Sequence, residues 1–387
     1  MFEKSTKHFD KNYNTVELDL PSSTIVATTG RKTQHYIFLD GLRGVAALAV
    51  LFLHWLEGHG YQLFGSSLLA VDFFFMLSGF VVTHAYQKRL RAEGRGTLFL
   101  RQRLIRLYPV IVLGLLLGVV RFSVLSWQET GTFLTQKIAL ELFAGLLMIP
   151  MTLASAPDFF PLDNPLWSLH FEFIAYIAFW LFMFRSSSRT LAVIAVIAAA
   201  GCFLWARATF GADPVPFPSL DHVSGYINGL SRVAFSFTLG MLLYRGIERM
   251  GTVALPHGRW LALLLILPLI LPRSYVPPLA VMVLLGLIFP YIIFAGSRVQ
   301  QHHGLTRIEK FMGDVSYPLY ALHVPLLWMM SGTMKKLGPG FTENPVWNGL
   351  FILPVTIAFS YAAFVLYDKP LRAWLGRRYA HRARITL

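Results

Sequence analysis

Phe38-Leu39-Asp40-Gly41-Leu42-Arg43-Gly44-Val45-Ala46-Ala47-Leu48-Ala49-Val50-Leu51-Phe52-Leu53-His54-Trp55 decides the fold. It sits in an apolar run from Tyr36 to Glu57. About 20 such residues, at ~1.5 Å of helical rise each, cross the ~30 Å hydrocarbon core of a bilayer. Comparable runs recur at 68–86, 104–120, 133–151, 166–184, 190–207, 229–245, 260–272, 277–295, 315–333 and 347–367. Of the 387 residues, 55% are hydrophobic and 14% charged, against ~25% charged in a typical soluble domain. That excludes an ordinary water-soluble enzyme, a disordered chain and a collagen-like fibre. The reading is an all-α integral membrane protein.

Loop charge threads the runs. Net charge is +14, from 34 Lys and Arg against 20 Asp and Glu. In a multi-spanning chain such an excess belongs to cytoplasmic loops, since Lys and Arg near helix ends resist translocation, and no nucleic-acid partner is needed to explain it. The stretch 87–106 holds Lys88, Arg89, Arg91, Arg95, Arg101, Arg103 and Arg106, and 245–259, 296–313 and the C-terminal tail are also basic; 58–67 and 152–165 carry no Lys or Arg. The alternation works if the chain crosses once between Arg106 and Thr152, which makes the run with Lys137 and Glu141 a partial or interfacial helix. The expectation is about ten transmembrane helices plus that partial one, with both termini cytoplasmic. Lys335 and Lys336 on the outside and the short run broken by Pro268 fit this threading poorly. Residues 1–35 read as a flexible polar tail without the early apolar segment of a cleaved signal peptide, 36–371 as the transmembrane domain, and 372–387 as a basic cytoplasmic tail. Cys202, the single cysteine, lies inside an apolar run and reads as inert packing.

A charge inside the hydrocarbon costs a few kcal/mol or more and marks a functional interior. Arg43 and His54 are eleven residues apart, which at ~100° per residue returns to nearly the same face some ~16 Å further along. Gly44 and Ala47 near that face leave room for a slender ligand; an interfacial Arg and a structural His are the bland alternative. Arg103 and Arg106 share a helix face at the cytoplasmic edge, where two guanidinium forks suit a phosphate or pyrophosphate, or simply a lipid headgroup. Glu172, two turns into its run, lies at a depth similar to His54 and either orients that imidazole or pairs with an arginine. Asp314 reads as a helix N-cap, while His323 lies near mid-membrane. Asp72 and Ser78 line the interior or pair locally. Gly-rich phosphate loops, zinc motifs and nucleophile elbows are missing.

Six motifs in order carry a resemblance: Leu39-Asp40-Gly41-Leu42-Arg43-Gly44 with His54; Phe73-Phe74 through Leu77-Ser78-Gly79-Phe80; Arg103-Leu104-Ile105-Arg106 with Pro109; Trp167-Ser168-Leu169 with Glu172; Ser316-Tyr317-Pro318-Leu319-Tyr320 with His323; and Tyr367-Asp368-Lys369-Pro370. Together they resemble the acyltransferase-3 family, multi-span enzymes that O-acylate sugars and other extracytoplasmic acceptors. The resemblance implies that Arg43 and His54 are essential, with His54 as acid/base, and that Arg103 and Arg106 receive the acyl donor. Glu172 joins the catalytic set, and Asp40, Asp72, Ser78, Trp167, Ser168, Tyr317 and His323 are further candidates for the interior lining. Where the family tends to show Glu, this chain has Asp368, which receives no role. No metal or permanently bound cofactor is expected; acyl-CoA, acetyl-CoA by family habit, is the cosubstrate. The partners implied are a carbohydrate or glycolipid acceptor, the bilayer, and a separate periplasmic or glycan-assembly protein if acceptor recognition lies outside the membrane domain. The location implied is the plasma membrane of a bacterium. The rival reading is a transporter or lipid flippase using Arg43, His54, Glu172 and His323 as an ion relay.

Overall fold

The computed structural model describes residues 36–93, 96–131, 135–150, 160–210, 223–250, 258–299, 306–334 and 344–385. The expected tail 1–35 and the Lys335-Lys336 pair lie outside the described residues. Each apolar run carries a helix: α1 Ile37–Glu57, α2 Ala70–Glu93, α3 Gly96–Thr130, α4 Gln136–Leu146, α5 Leu166–Ala178, α6 Ser188–Thr209, α7 Val223–Met250, α8 Arg259–Ile270, α9 Pro278–Val283, α10 Phe289–Gly296, α11 Thr306–Met334, α12 Pro345–Ala363 and α13 Lys369–Ile385. Single π-turns join α9 to α10 and α12 to α13, and another extends α5 to Met183. Local chemistry sets several starts. Ser187 caps α6 by accepting from Thr190 N at 3.1 Å, and Thr135 caps α4 by accepting from Ile138 N at 3.3 Å; each satisfies an orphan donor of the first turn.

Among the described residues, seven helical segments are long and apolar enough to cross a membrane, α9 with α10 and α12 with α13 each counting as one through their π-turns. α7 and α11, at 28 and 29 residues, have the length but are diluted by polar residues, among them Arg232, Asp314 and His323. α4 has 11 residues and α8 has 12, roughly 16 and 18 Å at 1.5 Å per residue, short of the ~30 Å core. α8 was expected to cross in full. It contains Pro268 and gives way to extended backbone at Leu271 and Pro272, because proline removes a helical donor and clashes with the preceding turn. The stretch expected as a basic tail from Arg372 is helical to Ile385.

Side-chain contacts fix the helix directions. α1 and α11 run parallel, Arg43 meeting Ser316 and His54 meeting His323. α2 and α7 also run parallel, through Asp72–Arg232 and, farther along, Lys88–Glu248 at 2.5 Å. α3 follows α11, with Leu107 beside Tyr317 and Arg121 over Trp328, and α5 opposes α3. The bundle therefore has an arginine end, with Arg43, Arg103 and Arg372, and a histidine end, with His54, Asp72 and the start of α5.

Glycines allow the closest crossings. A Cβ at Gly44 would lie 2.5 Å from Met312 O, and Ala47 and Leu51 pack in one cluster with Val315 and Leu319. The room expected beside Gly44 and Ala47 is thus filled by α11. Small residues admit a second backbone as readily as a ligand.

Candidate active site

At the arginine end, Arg43 donates from Nε to Ser316 Oγ at 2.8 Å and from Nη2 to the Gly313 carbonyl at 3.0 Å. Asp40, one turn back, pairs with it at 3.4 Å. This guanidinium is thus held between α1 and α11. Arg103 is buried among aromatic rings, 4.6 Å from the centroid of Tyr86 and 5.5 Å from that of Tyr176. Such faces stabilise a cation without neutralising it. Arg106 lies in the fields of Arg43, Arg103 and Arg372. Arg372 is paired with Asp368, which is fully buried, giving that carboxylate a specific partner one turn away. Four guanidiniums from α1, α3 and α13 therefore share one region with the carboxylates of Asp40, Asp368 and Glu172, a local excess of positive charge.

A string of hydroxyls leads from there towards the histidine end. Glu172 accepts from the Tyr176 hydroxyl, which lies 2.9 Å from Ser78 Oγ. Tyr317 donates to the Leu107 carbonyl at 2.6 Å. One turn further along α11, the Tyr320 hydroxyl and Ser168 Oγ are 2.7 Å apart. The Tyr320 ring packs edge-on against Phe74 and 5.9 Å from His323. The string runs between α2, α3, α5 and α11.

Two imidazoles close it. His54 and His323 have ring centroids 5.2 Å apart. His323 Nδ1 faces the Tyr320 carbonyl at 2.7 Å, so the neutral ring carries its proton there, because a carbonyl can only accept. Its Nε2 is then a lone-pair acceptor, buried and without a hydrogen-bond partner among the described residues. His54 Nδ1 lies 3.3 Å from Glu57 Oε2, a contact that favours the same tautomer. His323 thus presents a basic nitrogen beside the His54 ring. Asp163, on the turn entering α5, is fully buried, and burial pushes its carboxyl well above the usual carboxylate range.

These placements revise several expectations. Glu172 was expected to orient His54; it bonds instead to Tyr176 on its own helix, within the electrostatic reach of Arg103. The carboxylate beside His54 is Glu57. Asp72 is locked by Arg232, whose Nη2 donates to it at 2.6 Å, and the Arg232 guanidinium lies 5.5 Å from the Trp167 ring centroid. Breaking such a buried pair costs on the order of 3–5 kcal/mol. Asp40 serves Arg43. Ser78, Ser168, Tyr317 and His323 do face the interior string. Tyr176, Tyr320, Glu57, Arg232 and Asp163 were not singled out. Arg232 was visible as a charge within an apolar run, and Tyr176 as a hydroxyl one turn after Glu172; Tyr320, Glu57 and Asp163 had no comparable contrast. Among the described residues no cluster of three His, Cys, Asp or Glu could hold a metal ion.

Residues 36–365 match the acyltransferase-3 family, described as an acyltransferase domain. The chain belongs to this family. It is an integral-membrane acyltransferase for groups other than amino-acyl groups, which sets aside the transporter and flippase reading. It is similar to "Protein 2 in picA locus" of Rhizobium radiobacter, 38% identical over 182 residues that cover 43% of this chain and 92% of that protein. It is also similar to the "Putative peptidoglycan O-acetyltransferase YrhL" of Bacillus subtilis (strain 168), 24% identical over 394 aligned residues, 91% of this chain and 57% of that protein. The chain thus spans little more than half the length of the Bacillus relative. No solved structure matches.

Proposed function

We propose that this acyltransferase is a bacterial plasma-membrane enzyme that moves an acyl group, acetyl as in the name of its Bacillus relative, from cytoplasmic acyl-CoA to a hydroxyl of an extracytoplasmic or lipid-linked carbohydrate. One observation carries the reading: a guanidinium cluster and an imidazole pair lie at opposite ends of the bundle, joined by side-chain hydroxyls. Arg103, Arg106 and Arg372 receive the phosphates of the donor as charge-assisted hydrogen-bond donors. Its extended pantetheine arm follows Tyr176, Ser78 and Tyr320 and carries the thioester towards the histidines.

His54 Nε2 takes the proton of the acceptor hydroxyl while the hydroxyl oxygen bonds to the thioester carbonyl carbon. The C–S bond then breaks, and the CoA thiolate recovers the proton from the imidazolium. Glu57 holds the His54 Nδ1–H, and His323 Nε2 offers a second acceptor for the travelling proton. Glu172, through Tyr176, belongs to the donor end in this scheme.

The test is release of free CoA thiol from acetyl-CoA by the purified protein in lipid nanodiscs. His54→Ala is expected to lower turnover by about 100-fold or more, the scale of a lost general base. Arg103→Gln with Arg106→Gln is expected to raise KM for acetyl-CoA about tenfold or more, as for a lost charge-assisted contact. A His54→Ala protein that keeps most of its turnover removes the base, and an unchanged KM in the arginine variant removes the donor site. Mass spectrometry of envelope glycans with and without the gene then reads the acceptor as a lost acyl mass.

A further inference from the structure

A cavity opens at the histidine end, away from the hydroxyl string. It is a recess open to its mouth, with about 670 Å³ of empty space when the open solvent of that mouth is counted. Its walls come from the 3-10 turn Gly65–Leu69, the ends of α6 and α7, and the turn between α8 and α9. Asp72, Arg232, Arg273, Asn228, Ser66 and Trp205 supply its chemistry.

The polar groups there are unevenly satisfied. Arg232 is paired with Asp72 and bonded to the Leu68 carbonyl. The Arg273 guanidinium makes no hydrogen bond or ion pair among the described residues. Its guanidinium is pushed down to about 10, by burial and then by the neighbouring Arg232. Ser66 is 3% exposed, and its hydroxyl has no hydrogen-bond partner among the described residues. Asn228 is 5% exposed, and its side-chain amide makes no hydrogen bond among the described residues. Two guanidiniums against one carboxylate leave a net charge of +1 in the cavity. A half-buried guanidinium and an amide that bond to no neighbour, beside the buried Ser66 hydroxyl, are satisfied by a ligand that brings an anion and hydroxyls.

We propose that this cavity binds the acidic sugar unit of the acceptor glycan, a monoanionic, hydroxylated ring. Its carboxylate meets Arg273, its hydroxyls meet Asn228 and Ser66, and the face of the ring lies on Trp205. The proposal deepens the reading of the chain as a carbohydrate acyltransferase and rests on it. Asp72, fully buried and held by Arg232 and Ser236, cancels one of the two guanidiniums, so the cavity keeps the single positive charge that a monoanionic sugar matches. The location fits as well. Arg232, on the inner wall, lies over the Trp167 ring, and the next residue, Ser168, holds Tyr320 beside His323. A glycan anchored here is linked to the imidazole pair through Arg232, Trp167, Ser168 and Tyr320.

The experiment measures binding to the whole purified chain in zwitterionic nanodiscs with no donor present, following tryptophan fluorescence. The probes are a glucuronate-terminated trisaccharide, its neutral glucose analogue, and phosphatidylglycerol as competitor. The acidic sugar is expected to bind at least tenfold tighter than the neutral one. Arg273→Gln should erase that difference, Arg273→Lys should keep part of it, and Asn228→Ala should weaken both sugars. Equal binding of the two sugars, a preference that survives Arg273→Gln, or displacement of the sugar by phosphatidylglycerol overturns the proposal. If Arg273→Gln does not fold, the Arg273→Lys and Asn228→Ala arms decide. Because no donor is present, sugar binding in a protein that fails to release thiol from acetyl-CoA would leave this site standing and remove the catalytic reading, while the converse result would do the opposite.

Discussion

Asp163 carries both of its carboxyl oxygens into the protein without a hydrogen-bond partner among the described residues. Gly114 of α3 makes the space, since a Cβ there would collide with that carboxyl group. Burial pushes the Asp163 carboxyl well above the usual carboxylate range, so the folded protein keeps a proton at pH values where the unfolded chain, titrating near ~3.9, has lost it. The folded state binds more protons over that window, so stability falls as pH rises. The stabilisation is fully present below the unfolded value and is gone once pH has risen through the folded one. Asp163→Asn keeps the shape in a permanently neutral form. Its melting temperature in detergent should vary less than wild type between about pH 4 and pH 7, the wild type declining over the same interval. A wild-type melting temperature that rises across that window would mean that the buried carboxylate is charged and partnered.

The α1–α11 pair is held by close backbone approach, and its energetics can be probed at one glycine. Gly44→Ala places a methyl 2.5 Å from Met312 O, and overpacking of this kind costs about 1–3 kcal/mol. The variant should melt below wild type, whereas Gly286→Ala and Gly246→Ala, with nothing within 4 Å of the added methyl, should match wild type or exceed it because alanine favours the helix. Equal melting temperatures for Gly44→Ala and Gly286→Ala would mean that the two helices do not meet there. This pair also marks how far sequence can be read. Arg43 and His54 stood out because a charge or imidazole in an apolar run has high contrast, and their shared face follows from the helical period alone. Which helix would cover that face did not follow. Gly44 and Ala47 suited a ligand and a neighbouring backbone equally, and α11 took the space. Glu172 shows the same limit, since its depth along α5 was legible but not the helix its side chain faces. Asp72 was recognised as interior, but its partner Arg232 is 160 residues away, and only tertiary packing joins them. α8 was legible as a short run broken by Pro268, but counting it as a full crossing overlooked that the helix stops at Ile270 and turns extended at Leu271 and Pro272.

At the scale of the molecule, charge separates the two ends of the bundle. Lys88, Arg89, Arg91, Arg185, Arg189, Arg245 and Arg249 belong to the arginine end, while the loops at Gly58–Phe64 and Leu271–Pro277 contribute Arg273 alone. Lys and Arg resist translocation, so the proposed function requires the arginine end on the cytoplasmic side and the cavity beside Arg273 on the outer one. Cys202, the single cysteine, makes this directly measurable: a Cys202→Ser background carries no other thiol. Tyr61 and Tyr275 are 52% and 74% exposed in the two poorly basic loops, and the Lys88 side chain is 76% exposed at the opposite end. In intact cells a membrane-impermeant maleimide should label Tyr61→Cys and Tyr275→Cys, and should label Lys88→Cys only after lysis. The reverse pattern would set the guanidinium cluster outside the cell, out of reach of cytoplasmic donor, and the direction of acyl transfer argued from the two ends would have to be inverted. Labelling of all three before lysis would mean that the chain does not separate two compartments along this axis, leaving the spacing between the arginines and the histidines without the purpose assigned to it.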